Sequence, residues 1–218
     1  MTPPGDIFET HYADYKNSLA TLDFDRIAPI LGLESQSEGY VLPLFDRRYT
    51  LSRQGIWDEH RQPPSYTAFV IMAKYLTRCP AREHQDPQWA AFKDFKRESH
   101  FTNVNYFASD TEQKIARAFS GNLQALSRAA RRIGGVSGDS TLSYDLVMQF
   151  QALPRIALLL LFNDGDDDFP PYSTVLFWRQ AEYYLDPESL AVTSALLAKQ
   201  LTTQLGTGVV SNECATNT

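Results

Sequence analysis

The segment that most constrains the fold is Ile156–Phe162, which is continuously apolar. An apolar run of this length is typical of a strand that is buried on both faces. The preceding segment Leu142–Phe150 alternates apolar with other residues and predicts a half-buried strand, and Thr174–Trp178 predicts a third strand. The connections, residues 151–155 and 163–173, are too short for a helical crossover, so we expect an antiparallel meander.

A second β-structure is predicted nearer the N-terminus. Two apolar, β-favouring segments, Tyr40–Phe45 and Tyr49–Leu51, are separated by the polar Asp46-Arg47-Arg48. This arrangement predicts a β-hairpin. The predicted fold class is therefore α+β, with an antiparallel sheet made of the C-terminal meander plus the N-terminal hairpin, packed with several helices.

Helices are predicted wherever apolar residues recur at helical spacing between capping and stop residues. They cover residues 6–22, residues 25–31, the segment from the Ser65 cap to Cys79-Pro80, the segment from a capping box of Ser109 and Glu112 to Phe119, the stripe of Leu123, Leu126, Ala130 and Ile133, and the segment from Asp186-Pro187-Glu188 to Gly206. Residues 81–108 show no period, and no structure is predicted there. No repeat or long linker divides the chain, which predicts one domain over residues 6–205 and a disordered tail over residues 206–218.

Charge and cysteine content exclude several classes of protein. A formal net charge of −6 argues against a protein whose main task is binding nucleic acid, because such domains usually carry a basic excess. The N-terminal residues lack the basic and apolar segments of a secretory signal, and the longest apolar stretch is far shorter than a membrane span. Cys79 and Cys214 cannot build a disulfide framework or a four-cysteine metal site. We expect a cytoplasmic protein with no nucleic-acid or membrane partner.

The densest concentration of one charge is the acidic loop, Asn163–Asp168, directly after the buried strand. Hard cations such as Mg²⁺ and Ca²⁺ are bound by several oxygen ligands, so Asp164, Asp166 and Asp168 are candidate metal ligands. The alternative is a solvated turn, because Asp and Asn tolerate turn geometry. An EF-hand is excluded, since its glycine and glutamate positions hold Phe169 and Val175.

Other chemistry-bearing residues give weaker signals. The four histidines are scattered, and none stands at zinc spacing with another histidine or cysteine. Three arginines on one predicted helix face could bind an anion or lie in solvent. Three aromatic residues near the last strand could line a pocket or belong to the core. These are Arg128, Arg131 and Arg132, and Trp178, Tyr183 and Tyr184. No nucleophile elbow or phosphate-binding glycine loop is present, so no catalytic residues are assigned.

Three blocks of the chain, residues 42–65, 89–100 and 152–192, resemble the bacterial and archaeal family known as domain of unknown function number 3786. The third block is the most specific, with its apolar strand, its acidic loop ending in Phe169-Pro170, and Tyr184-Leu185 before an acidic helix start. The resemblance spans about Tyr12 to Leu201, with the blocks in the order of the family.

The family has no assigned activity, and the resemblance implies little about function. Some members are similar to proteins of anaerobic one-carbon and corrinoid metabolism in carrying a four-cysteine iron–sulfur module. This chain has only two cysteines, so no iron–sulfur cluster is expected. The resemblance favours a binding or accessory protein for a small-molecule cofactor or a partner protein in anaerobic metabolism. The alternative is a divalent-metal-dependent enzyme that uses residues 163–168. The oligomeric state is left open.

Overall fold

The fold is built on two antiparallel sheets, one of four strands and one of five. The structure is a computed structural model that describes residues 14–15, 17–37, 39–95 and 107–206. Helices pack around both sheets, and buried residues from both sheets and from the helices join in one hydrophobic cluster. The predicted α+β class is confirmed.

The four-stranded sheet is a meander in which each strand pairs with the next along the chain. Its strands are β1 (Glu34–Gln36), β2 (Gly39–Leu44), β3 (Arg47–Ser52) and β4 (Gly55–Trp57). The predicted hairpin forms its centre, but the turn is Phe45-Asp46, because Leu44 already pairs with Arg47. Phe45 adopts a φ of +55°, where glycine is preferred. Its buried ring and the hydrogen bond from its N–H to the Ala152 carbonyl, 2.9 Å long, hold it there and join the two sheets.

The five-stranded sheet contains the segment on which the sequence prediction rested. Its strands are β5 (Trp89–Ala91), β6 (Val136–Ser137), β7 (Leu146–Leu153), β8 (Ile156–Asn163) and β9 (Tyr172–Trp178). Their spatial order is β5-β9-β8-β7-β6, and every pair is antiparallel. The predicted meander is therefore confirmed as β7-β8-β9. Residues 156–162 of β8 are all buried, as expected for its central place.

One strand prediction was too long. The alternating segment Leu142–Phe150 becomes a strand only from Leu146, and the residues before it form turns. The carboxylate of Asp139 accepts hydrogen bonds from the N–H and the hydroxyl of Thr141, at 2.9 and 2.7 Å. Such local side-chain bonds compete with the ladder of a sheet, so the alternation of Leu142 and Tyr144 does not extend the strand.

The helices end close to where the capping residues place them. They are α1 (Phe24–Leu31), α2 (Tyr66–Thr77), α3 (Gln113–Phe119), α4 (Leu123–Arg132) and α5 (Pro187–Gly206). The side chains of Asp23, Ser65 and Asn122 cap α1, α2 and α4, and Gly32 ends α1 in the left-handed conformation. Residues 14–15 and 17–20 are also helical, while the start of the helix predicted from residue 6 and the predicted tail from residue 207 onward lie outside the described residues.

The predicted capping box is wrong. Helical structure is already present at Phe107, and residues 108–112 form a π-helical turn before α3, so Ser109 does not begin a helix. The carboxylate of Glu112 instead accepts a hydrogen bond from the backbone N–H of Val175, at 2.9 Å. Its carbonyl accepts a second bond from the Ser173 hydroxyl, at 2.6 Å. β5 pairs with β9 only from Leu176 onward, so Glu112 takes the place of a partner strand beside Ser173 and Val175.

The last helix, α5, packs against α2, α3 and α4. The predicted apolar stripe is correct in its central part, because Leu190, Leu197 and Leu201 are fully buried. Its other face remains partly accessible and carries Lys199 and Gln200. Across the described part of the chain, the helices are too short or too polar to cross a membrane.

Candidate functional site

The acidic loop is folded by its own carboxylates. Oδ1 of Asp164 accepts hydrogen bonds from the N–H groups of Gly121 and Gly165, at 2.7 and 2.9 Å. Oδ1 of Asp166 accepts from the N–H groups of Asp168 and Phe169, at 2.9 and 2.7 Å. Asp164 thereby ties the β8–β9 loop to the turn between α3 and α4, while Asp166 closes the turn that leads into β9.

The cation site expected at Asp164, Asp166 and Asp168 stays a prediction. Asp166 and Asp168 are exposed, and Asp164 is partly buried. Among the described residues, no three His, Cys, Asp or Glu side chains are grouped in a way that could hold a metal ion. Since Oδ1 of Asp164 and of Asp166 accepts these backbone hydrogen bonds, a bound ion would use the Oδ2 atoms or share Oδ1.

A second polar cluster joins α1, α2 and the β7–β8 turn, and we call it the Arg155 network. It comprises Tyr75, Glu83, Arg155, Gln180 and Tyr184 with the backbone groups that they bind. The Arg155 guanidinium lies 2.7 Å from the carboxylate of Glu83 and donates to the carbonyls of Ile30 and Pro29, at 3.1 and 3.0 Å. These carbonyls lie in the last turn of α1, where backbone carbonyls have no partner within the helix. A cation at this end also interacts favourably with the helix dipole.

The remaining members of the Arg155 network are equally well satisfied. The Tyr75 hydroxyl donates to the Leu31 carbonyl at 2.7 Å and accepts from the Arg155 N–H at 3.2 Å. The Gln180 amide accepts from the Asp86 N–H at 2.6 Å and donates to the Arg155 carbonyl at 2.9 Å. A hydrogen-bonded network of this kind fixes the positions of α1, α2 and the β7–β8 turn, and we assign it a structural role.

Cys79 and His84, a weak candidate pair for metal binding, both lie beside the Arg155 network. Burial raises the pKa of the Cys79 thiol against the opposing charge of Arg26, which keeps the thiol protonated and poorly nucleophilic. The His84 ring stacks on the Tyr183 ring with centroids 3.9 Å apart. Its backbone N–H and carbonyl both bind the Tyr184 hydroxyl, at 2.8 and 2.9 Å. These contacts belong to packing.

The other sequence candidates are not brought together. Arg128, Arg131 and Arg132 are exposed on α4, as a solvated face requires. His60 is exposed and lies 3.6 Å from the carboxylate of its neighbour Glu59. Of the aromatic candidates, Tyr184 belongs to the core. Trp178 pairs with Trp89, and their ring centroids are 6.1 Å apart. His11 and His100 lie outside the described residues.

A pocket of about 260 Å³ lies where the β2–β3 hairpin meets α2, α4 and α5, and we call it the hairpin pocket. Its apolar lining consists of Leu44, Ala68, Ile133 and Leu196. Tyr49, Ser65 and Gln200 contribute polar atoms, and Asp46, Arg47 and Lys199 bring charges to the opening. The pocket therefore combines an apolar interior with a small number of polar groups, which is typical of ligand sites.

The charges at the opening of the hairpin pocket favour an anion. Arg47 and Lys199 outnumber the single acid, Asp46. Within the described residues the Lys199 ammonium forms no ion pair, so it is available to pair with a bound anion. The pKa of Tyr49 is raised, mainly by burial and against the opposing effect of Arg47, so its hydroxyl stays neutral and can donate a hydrogen bond.

Gln200 gives the hairpin pocket an unsatisfied polar group. Its Oε1 is buried and accepts no hydrogen bond from the described part of the protein. Leaving a buried acceptor without a donor costs roughly 1–3 kcal/mol. Rotation of the terminal amide toward a ligand that carries a donor would remove this cost. Among the pocket-lining groups it is the one that most directly indicates a bound molecule.

Sequence reasoning missed the hairpin pocket, because its charged residues are far apart in the chain. Arg47 follows the hairpin turn, whereas Lys199 and Gln200 sit beside the leucine stripe of α5. Neither segment contains a motif. A pair of polar residues between Leu197 and Leu201 is the one signal that the sequence offers, and it is equally compatible with the solvated side of a helix.

Comparison with other proteins places the chain in a family without adding an activity. No curated protein and no solved structure matches it. A family model, described as a domain of unknown function (DUF3786), matches residues 23–200, from the N-cap of α1 to the polar pair on α5. This match covers most of the chain, so the protein belongs to the DUF3786 family, as the three sequence blocks predicted.

Proposed function

We propose that the protein is a cytoplasmic binding or accessory protein that holds a small organic anion in the hairpin pocket. The observation that carries the proposal is the buried, unsatisfied Oε1 of Gln200 in a pocket that Arg47 and Lys199 make cationic. The ligand is expected to carry a carboxylate or phosphate for the cations, a hydroxyl or amine as donor for Gln200, and an apolar part for the interior.

The size of the hairpin pocket limits the ligand. At about 260 Å³ it lies just below the range of roughly 300–1,000 Å³ that is usual for small-molecule sites. A haem or corrinoid macrocycle is therefore too large for it. A role in anaerobic metabolism, which the resemblance of some family members suggests, would then consist in handling a small acid or in supporting a partner protein.

Thermal-shift measurements with succinate, glycerol 3-phosphate, inorganic phosphate and small hydroxy acids test this proposal. A ligand at one hundred times its dissociation constant stabilises the folded state by roughly 2.7 kcal/mol, which raises the melting temperature measurably. Lys199→Met should weaken binding of a ligand found in this way about tenfold, because a charged partner is lost. Arg131→Met removes an exposed arginine outside the pocket and is the matched control.

The proposal fails if no small anion raises the melting temperature. It also fails if Lys199→Met and Arg131→Met bind the ligand equally well, because the anion would then lie elsewhere.

The alternative is a divalent-metal-dependent enzyme at Asp164, Asp166 and Asp168. The succession of these three aspartates along one short loop favours it. Calorimetry with Mg²⁺, Ca²⁺ and Mn²⁺ tests it, and Asp168→Asn is the informative variant, because the hydrogen bonds that fold the loop use carboxylates of Asp164 and Asp166. Absence of heat with all three ions would remove this alternative.

A further inference from the structure

The outer face of the four-stranded sheet carries a second pocket of about 590 Å³, which we call the Trp57 pocket. Besides Trp57 it is lined by Thr50, Ser52, Gln54, Asp58, Glu59 and Arg61. Its volume lies within the range usual for small-molecule sites, which is roughly 300–1,000 Å³. Alternate residues of a strand face opposite sides, so β3 contributes Tyr49 to the hairpin pocket and Thr50 to this one. The two pockets share no lining residue.

The indole of Trp57 is a fixed aromatic surface in this pocket. Trp57 pairs with Thr50 across β3 and β4. A Cβ atom added to Gly55, two residues earlier on the same face, would lie 3.2 Å from the indole ring, so the ring packs closely over this glycine. Trp57 is nevertheless only partly buried. One part of the ring is thus held by the sheet, and another part is available to a ligand.

On the other half of this outer face, an ion pair takes the place of a pocket. Arg48 and Glu34 form a bidentate ion pair, with Arg48 nitrogen atoms 2.5 and 3.2 Å from the two carboxylate oxygens. Glu34 pairs with Val41, which is buried, and Val41 in turn pairs with Thr50. Glu34, Val41, Thr50 and Trp57 thus form one row across the four strands. The ion pair lies at the Glu34 end of this row, and the Trp57 pocket lies at the other end.

The loop that borders the Trp57 pocket is hydrogen-bonded within itself and locally strained. Arg61 has a φ of +57°, and apart from Phe45 no other non-glycine residue in the described part of the chain has a positive φ. Asp58 holds this conformation, because its Oδ1 accepts from the N–H groups of His60 and Gln62, at 2.9 and 2.8 Å. Its carbonyl also accepts from the Arg61 N–H at 3.1 Å. Strain of this kind persists only where surrounding bonds enforce it, and it concentrates at functional sites.

The lining chemistry identifies the class of ligand. Hydroxyl and amide groups on Thr50, Ser52 and Gln54 can both donate and accept hydrogen bonds, as sugar hydroxyls do. The charged groups at the border carry both signs. Asp58 is engaged by the backbone of its own loop, through Oδ1, so Glu59 and Arg61 give one acid and one base beside the pocket, which favours a neutral ligand. The C–H face of a sugar ring packs on an indole, while its hydroxyls reach the polar walls. We propose that the Trp57 pocket binds a neutral carbohydrate of one or two sugar rings.

Nuclear magnetic resonance of the indole N–H groups tests this proposal directly. The chain has three tryptophans, so three indole signals are expected, and Trp57→Phe assigns the relevant one. Titration with glucose, maltose, cellobiose and lactose should move the Trp57 signal in a saturable way with at least one sugar. The signals of Trp89 and Trp178, which pair with each other in the five-stranded sheet, should stay in place as internal controls.

Two further variants locate the sugar. Trp57→Ala should weaken binding at least tenfold, while Trp178→Phe should leave it within twofold. Because Trp57 is partly buried, its replacement could unfold the small sheet, so the double variant Ser52→Ala, Gln54→Ala provides a second reading. These two side chains are accessible, and their loss should weaken binding at least threefold in a protein that stays folded. A small decrease in melting temperature is expected, because the Ser52 hydroxyl accepts a hydrogen bond from the Gln54 N–H at 3.0 Å.

The proposal is overturned if no sugar at about 50 mM moves the Trp57 signal, because this concentration would detect binding even with a dissociation constant of roughly 1 mM. It is also overturned if folded Trp57→Ala binds as well as the unaltered protein. A shift produced by choline but by none of the sugars would assign the pocket to a cation instead, since a tryptophan face also attracts cationic ligands.

Discussion

The Arg155 network and the hairpin pocket contain similar residue types, yet their polar groups are satisfied to different degrees. Each has an arginine, a tyrosine and a glutamine, of which Gln180 is buried and Gln200 is partly buried. Gln180, in the network, both accepts and donates within 2.9 Å, whereas Oε1 of Gln200, in the pocket, has no donor in the described part of the chain. The difference teaches that similar residue types favour a ligand more strongly where one of their polar groups still lacks a partner, which is why the proposed site is the hairpin pocket and not the network.

The largest expected effect is the loss of Arg155. Replacement by methionine keeps most of the apolar stem but leaves Glu83 and two carbonyls of α1 without their donor. The side chain is 23% exposed, so the cost should be somewhat below that of a fully buried pair, about 2–4 kcal/mol of unfolding free energy. Urea unfolding measures it, with Arg128→Met as the control. A loss below 0.5 kcal/mol, roughly that of a surface site, would contradict the structural role.

Gln180→Leu should come next. The change leaves the Asp86 N–H and the Arg155 carbonyl without a partner inside the protein. An unsatisfied buried group costs roughly 1–3 kcal/mol, and we expect a decrease of unfolding free energy in that range. The same urea experiment measures it, and an unchanged midpoint would show that water replaces the amide without cost.

Gln200→Leu should act in the opposite direction. It removes an acceptor that the described structure leaves unsatisfied, so the ligand-free protein should be unchanged or more stable by up to about 1 kcal/mol. Binding of the small anion found in the thermal-shift screen should weaken at the same time. A clear loss of stability would mean that the amide already has a partner, and the contrast with Gln180 would disappear.

The smallest effect concerns Glu112, an acceptor that is satisfied and charged. Burial raises the pKa of Glu112 above its ordinary value of 4.5, and the hydrogen bond from the Val175 N–H only partly opposes this. The protonated Glu112 side chain therefore contributes fully to stability below pH 4.5, and this contribution is lost as the pH rises through the raised pKa. Glu112→Gln keeps an acceptor without the charge.

The Glu112→Gln variant should consequently gain stability relative to the unaltered protein between pH 4 and pH 7, by less than about 1 kcal/mol. Parallel melting curves at the two pH values measure the difference. If the variant instead loses stability at pH 7, the charge itself strengthens the bond to Val175 and outweighs its burial.

Much of the fold could be predicted from the sequence because it depends on local patterns. The continuous apolar run of β8 and the short connections on either side predicted the meander, and the cap Ser65 marked the start of α2. The short strand β5 was not predictable, because Trp89–Ala91 has no alternation and is held only by pairing with β9.

The errors share a cause with the missed sites. The pattern at Ser109 and Glu112 matches a capping box, but the carboxylate binds a strand about sixty residues further on, at Val175. The hairpin pocket likewise needs Arg47 to meet α5, and the Trp57 pocket needs β4 to return beside Thr50. Tertiary pairing decides these contacts, and no local pattern encodes them.

The bond between Glu112 and Val175 also bears on how copies of the chain behave toward one another. An edge strand with free N–H and C=O groups is a template onto which another polypeptide can add a strand, and growing aggregates use such edges. Near the start of β9, at the buried residues Ser173 and Val175, the carbonyl and the carboxylate of Glu112 occupy that position. Because Glu112 already binds the Val175 N–H, that group is not available to a strand from another copy of the chain.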